Sequence, residues 1–189
     1  ECGFVYNLSE APTAASTIVS GVAEFVTLLA DRDVDVRSRR EPGIWSPLEY
    51  GCHLRDVLLV QRERVLAGRR MDRPRCQPMG RDERVDHDGY ADQQPADVAR
   101  QLSDAAQLFS NVLDRLRSAD WDRNVTYNYP KPTVRALRWV AVHTLHEVSH
   151  HLLDVRRNWR KHPRGSPPDS RRPVGGTWRA ANWRGNIGP

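Results

Sequence analysis

The sequence predicts an all-α protein built as a four-helix bundle. Three observations carry that prediction. Four stretches of roughly 20 residues space their apolar side chains three and four apart, the signature of helices with one buried face. Three of these stretches open on proline, which suits the first turn of a helix. Strand-like alternation is confined to one short segment, "RNVTYNYP" at 123–130. A chain of 189 residues, 39% hydrophobic and 28% charged, is long enough to bury one core of this kind.

The first predicted helix runs from about Pro12 to Ala30, with Ile18, Val22, Phe25, Val26 and Leu29 on one face. The second opens at "SPLE": Ser46 is a natural N-cap, Pro47 suits the next position, and Glu49 completes a capping box. It runs to about Ala67, where Gly68 is expected to stop it. Residues 69–94 are polar and punctuated by Gly and Pro, so they read as a long crossover loop. Within it, the acidic stretch "RDERVDHDGY" and its His87 read as solvated. The third helix is expected from Pro95 to Leu116, carrying Val98, Leu102, Ala105, Phe109, Val112 and Leu113. Segment 123–130 is too short and isolated to predict a sheet of its own. The fourth helix is expected from Val134 to Asn158, with Thr133 as its cap. Residues 1–158 thus form the bundle, and 159–189 an irregular, basic, Pro/Gly/Arg-rich tail.

The pI of about 9.5 suggests nucleic acid at first sight. The charge is unevenly placed, however. Residues 156–189 carry a net +8 and the rest of the chain −3, so the basicity belongs to the tail and a nucleic-acid role is disfavoured. No apolar run approaches the roughly 20 residues that span a bilayer, and no basic signal-peptide start is present. Three cysteines, Cys2, Cys52 and Cys76, show no framework spacing, which suits a reducing, cytoplasmic compartment and makes Cys2 a free thiol.

Chemistry concentrates in "HTLHEVSHHLLDV" at 143–155. On a helical wheel His150 lies about 40° from His146, so the two imidazoles stack and can chelate one ion. They border the apolar arc that includes Trp139 and Leu153. His151 lies about 140° from His146 and reads as a surface residue. On the second helix His53 shares its face with Val57 and Val60, which aims it at the core. Three imidazoles, His53, His146 and His150, would make a metal site with an open position for water or substrate. "HEVSH" also fits the zinc-protease pattern, with Glu147 as base. The continuation that pattern needs is missing: Leu153 and Arg156 stand where Gly and His are required, and only Asp169 in the tail could supply a distant carboxylate. A protease is therefore strongly disfavoured. Glu147, Asp154 and Asp56 remain as helpers able to orient an imidazole or move a proton. Tyr50, Asp56 and Arg138 are the candidate pocket residues, with Trp45, Tyr127 and Tyr129 as possible lining.

The second helix "WSPLEYGCHLRDVL" and the fourth helix "HTLHEVSHHLLDVRR" together resemble the DinB/YfiT superfamily of four-helix-bundle metalloproteins. In that resemblance His53 matches the second-helix ligand, and His146 and His150 match the H-x-x-x-H pair. The resemblance implies a divalent metal, zinc or nickel, a homodimer, and a thiol S-transferase reaction. There a low-molecular-weight thiol, activated at the metal, attacks a small electrophile. An Arg-rich chain with only two lysines, Lys131 and Lys161, makes mycothiol the first thiol to test. Hydrolysis, and a non-enzymatic stress or sensor role, are the alternatives.

Overall fold

The computed structural model of the protein describes residues 2–158; the expected basic tail, 159–189, lies outside the described residues. Five α-helices and one hairpin follow in order: α1 (Ala14–Ala30), α2 (Pro47–Arg70), α3 (Arg81–His87), α4 (Pro95–Leu113), β1 (Asn124–Tyr127), β2 (Thr133–Ala136) and α5 (Leu137–Asn158). The four long helices form the bundle. α1 packs on α4 and α5, and α2 packs on the same two, so α1 and α2 stand mainly on one diagonal. Of the consecutive long helices, α2 and α4, joined by the 71–94 crossover, pack side by side, whereas α1 and α2 touch only slightly.

The predicted faces of the helices form the core. Ile18, Val22, Phe25 and Leu29 of α1 meet Val98, Leu102 and Phe109 of α4, together with Val148 and Leu152 of α5. The start of α2 is fixed as its sequence demands. Ser46 accepts from the Glu49 amide and Glu49 accepts from the Ser46 amide, closing the capping box. Arg39 then clamps the Glu49 carboxylate, its Nε 2.8 Å from Oε2. This reciprocal cap sets the rotation of α2 one turn before His53.

Several boundaries differ from expectation. α1 is preceded by a 3-10 turn, Leu8–Thr13, that takes up Pro12. Together Leu8–Ala30 are long and apolar enough to cross a membrane by length and composition alone, contrary to the expected absence of such a run. The stretch buries Ile18, Val22 and Phe25 in the core. α2 does not stop at Gly68. A Cβ there would lie 2.7 Å from Leu137 Cδ2 and 3.0 Å from Val125 Cγ1, so Gly68 lets the hairpin and the start of α5 press onto α2. The crossover is not wholly irregular: it folds the short α3. α4 ends at Leu113, short of Leu116. Segment 124–127 finds a partner in Thr133–Ala136, with Val125 opposite Arg135 and Tyr127 opposite Thr133. The residues expected to begin the fourth helix are thus a strand, and α5 starts only at Leu137.

Candidate functional site

His53, 2% exposed, projects from α2 toward α5. Its ring packs against Trp45 at 5.0 Å and edge-on against His151 at 4.9 Å. Burial and the neighbouring His151 charge hold His53 well below the usual imidazole range, so it stays neutral. Its Nδ1 is buried and has no hydrogen-bond partner. A buried ring nitrogen left without a partner is costly and calls for an explanation.

Facing it on α5 are Glu147 and His151, one turn apart. His53, Glu147 and His151 each offer one donor atom, and the three atoms lie within 4.8 Å of one another. Glu147 sits at the centre of an imidazole cluster. Its Oε2 is 3.5 Å from His151 Nε2, and its Oε1 is 3.7 Å from both His143 Nε2 and His146 Nδ1. Burial alone would raise its pKa, but His151 and the surrounding imidazoles hold it well below the carboxylate range. His151 behaves oppositely. Burial would lower its pKa, yet Asp154 on Nδ1 (3.3 Å) and Glu147 on Nε2 push it up to about 9.

This group forms the wall of a cavity of about 310 Å³ between α2, α5, the hairpin and residues 78–82. Tyr127 also lines it, edge-on to the His143 ring, and accepts hydrogen bonds from Gln61 Nε2 (3.0 Å) and Arg64 NH1 (2.7 Å). Two accepted bonds leave its own O–H to donate. Burial pushes that hydroxyl up to about 12, so it stays protonated.

The expected ligand set is not assembled as a unit. His53 meets Glu147 and His151, while His146 and His150 converge with Cys2 on another side of α5. His151 is not a surface residue: it is 8% exposed, inside the site. Glu147, expected as a helper, stands in the donor group itself. The physical reason is what covers each side of α5. α2 and the cavity lie along His143, Glu147 and His151, whereas the N-terminal segment covers His146, with Tyr6 Oη 3.0 Å from its Nδ1. The i, i+4 spacing of Glu147 and His151 equals that of His146 and His150, and was the sequence signal available for the missed pair.

The other pocket candidates are not cavity residues. Asp56 is buried, but it accepts from Arg55 Nε (2.8 Å), Arg84 NH1 (3.1 Å) and Tyr90 Oη (2.7 Å), a knot that ties α2 to the crossover. Arg138 pairs with Asp122 near the surface. Tyr50 touches the site from outside the cavity, its ring 5.3 Å from that of His151. Tyr127 and Tyr129 do line the cavity.

The fold and site together define a class: a helical bundle with a His/carboxylate group, able to hold a metal, between two of its long helices. The DinB superfamily profile matches residues 20–155, and the chain belongs to the DinB superfamily. Among solved structures it is similar to YfiT from Bacillus subtilis, described as a probable metal-dependent hydrolase with an unusual four-helix bundle topology. The two are 13% identical with a TM-score of 0.65, over 82% of this chain and 88% of that one, which speaks for the fold. No curated protein sequence matches the chain.

Proposed function

We propose that the protein is a divalent-metal-dependent hydrolase of a small organic substrate, with the ion held by His53, Glu147 and His151. The observation that carries this reading is the convergence of two imidazoles and one carboxylate on a single cavity, with the buried His53 Nδ1 unpartnered. Two His and one Glu with an open position is a donor set of hydrolytic zinc sites. Bound there, a zinc- or nickel-class ion would supply Lewis acidity to water and to a substrate carbonyl. Glu147 would offset one of its two charges, which three neutral ligands would not.

The chain's own residues do the rest. Asp154 accepts from His151 Nδ1 and so fixes the tautomer that leaves Nε2 facing Glu147. The rings of Trp45 and Tyr50 fix the orientation of the His53 and His151 imidazoles. Tyr127, held by Gln61 and Arg64, donates to the oxygen on which negative charge grows. The fit to YfiT, itself described as a probable metal-dependent hydrolase, supports the same class.

A second reading is thiol S-transfer, with mycothiol as the first thiol to test. The apolar wall of Val57, Val60 and Met79 favours it, because it suits an alkyl electrophile and a thioether product. Metal analysis of the purified full chain, followed by a panel of small esters, amides and electrophiles with and without mycothiol, tests both. The expected result is hydrolysis by zinc- or nickel-loaded protein that chelation removes and that His53→Ala and His151→Ala lose together with the metal. Thiol consumption in place of hydrolysis transfers the assignment to S-transfer. Bound metal with turnover on neither panel leaves a sensor role. Unchanged metal content in both variants overturns the site.

A further inference from the structure

We propose that Cys2, His146 and His150 form a second metal site, outside the cavity, for a thiophilic divalent ion of the zinc class. Each of the three offers one donor atom, and all three lie within 4.8 Å of one another. Cys2 Sγ is 3.3 Å from His146 Nε2. A tetrahedral zinc with its usual sulfur and nitrogen bond lengths holds S and N about 3.5 Å apart, so the pair already has the edge length of a chelate. His146 and His150 are one turn apart on α5 with ring centroids 5.5 Å apart, the spacing at which two imidazoles reach one ion.

The surroundings are built for ligation. The Tyr6 hydroxyl lies 3.0 Å from His146 Nδ1 and 2.8 Å from His143 Nδ1. A hydroxyl has one proton, so it donates to one ring and accepts from the other. Accepting from His146 Nδ1–H leaves the Nε2 lone pair facing Cys2, the outer-partner arrangement that orients ligating histidines. Asp154 Oδ2, 3.3 Å from His150 Nε2, supplies the same kind of partner to the second imidazole. Phe4 covers the His146 ring at 5.0 Å. A plain thiol–imidazole hydrogen bond would explain the Cys2–His146 contact but not the third donor. Binding exchanges the Cys2 thiol proton for the ion, and the proton goes to solvent. A thiolate with two imidazoles selects zinc-class ions over magnesium or calcium. The ion clamps residues 2–6 onto α5.

Titration of the metal-stripped, reduced full chain with Co²⁺ alone tests this. The expected result is two equivalents per chain, one of them carrying the near-ultraviolet thiolate-to-cobalt charge-transfer absorption. Cys2→Ser removes that absorption and one equivalent. His150→Ala weakens the same equivalent at least as much as Tyr6→Phe, for which loss of an outer partner predicts about 10–100-fold. His53→Ala removes the other equivalent and keeps the absorption, so failure at the cavity and failure here are told apart. The proposal is overturned by an absorption missing from the unmodified chain, by one that survives Cys2→Ser, or by one that disappears with His53→Ala.

Discussion

On the α2 side of α5, Glu147 and His151 meet His53 in the wall of a cavity; about 100° around the same helix, His146 and His150 meet Cys2 beneath the N-terminal segment. Both pairs have i, i+4 spacing, and both have Asp154 behind one member, 3.3 Å from His151 Nδ1 and from His150 Nε2. They differ in what faces them. The inner pair has a carboxylate donor, a neutral buried partner and an adjoining space of about 310 Å³. The outer pair has a thiol and a covering phenylalanine. Helix geometry makes chelating pairs, and the neighbouring element decides whether a pair borders a reaction space or fastens a strand of chain.

The comparison breaks most sharply at its ligands. His53→Ala and His151→Ala are expected to lower metal affinity at the cavity by more than about 100-fold, beyond what loss of an outer partner costs, and to abolish turnover. Calorimetric titration with Zn²⁺ and a steady-state assay check this; wild-type behaviour in either variant removes the inner site. Next in size is Tyr127→Phe. If its hydroxyl stabilises developing charge, kcat falls about 10²–10³-fold while metal content holds. A rise in KM alone would place Tyr127 in substrate binding.

Asp154→Asn probes the carboxylate that both sides share. It should cost about 10–100-fold in affinity at the cavity and a comparable factor at the outer pair, read from the two phases of a Co²⁺ titration. Loss at one phase only would show that Asp154 serves one side.

The pH dependence of the metal-free protein sharpens the electrostatic side. His151 is held at about 9 in the folded state against an ordinary 6.5, so its pairing with Asp154 and Glu147 stabilises the fold fully below pH 6.5 and is lost as pH rises through about 9. The drop should be on the order of 3 kcal/mol in denaturant titrations across that window, and smaller in Glu147→Gln. Glu147, held low, contributes in the opposite sense: its stabilisation is present above its ordinary pKa and disappears as pH falls. The smallest effect is expected at Arg138→Ala. Its pair with Asp122 is a surface contact, so stability should change by less than about 0.5 kcal/mol and metal binding not at all.

Much of the fold was legible because it is local. Ile18, Val22 and Phe25 had to be buried together once they lay on one helical face, and Ser46, Pro47 and Glu49 could close a cap only at a helix start. The hairpin was not legible. Residues 124–127 form a strand only because 133–136 pair with them, and β2 occupies what local periodicity assigned to the fourth helix. Gly68 misled for a similar reason: the stop signal serves the close approach of Leu137. At the site, the core-facing position of His53 and the concentration of imidazoles in 143–155 could be read directly. The division of that stretch between two donor groups could not.

The sequence by itself determined the helical class, the cap that sets the start of α2, and the i, i+4 alignment of His146 with His150 along α5, because spacing along a helix fixes which residues share a face. Only the tertiary structure decided that Glu147 and His151, rather than His146 and His150, look at His53. A helical wheel has no reference direction until another element packs against it, and here α2 packs on one side while the Cys2–Tyr6 segment covers the other.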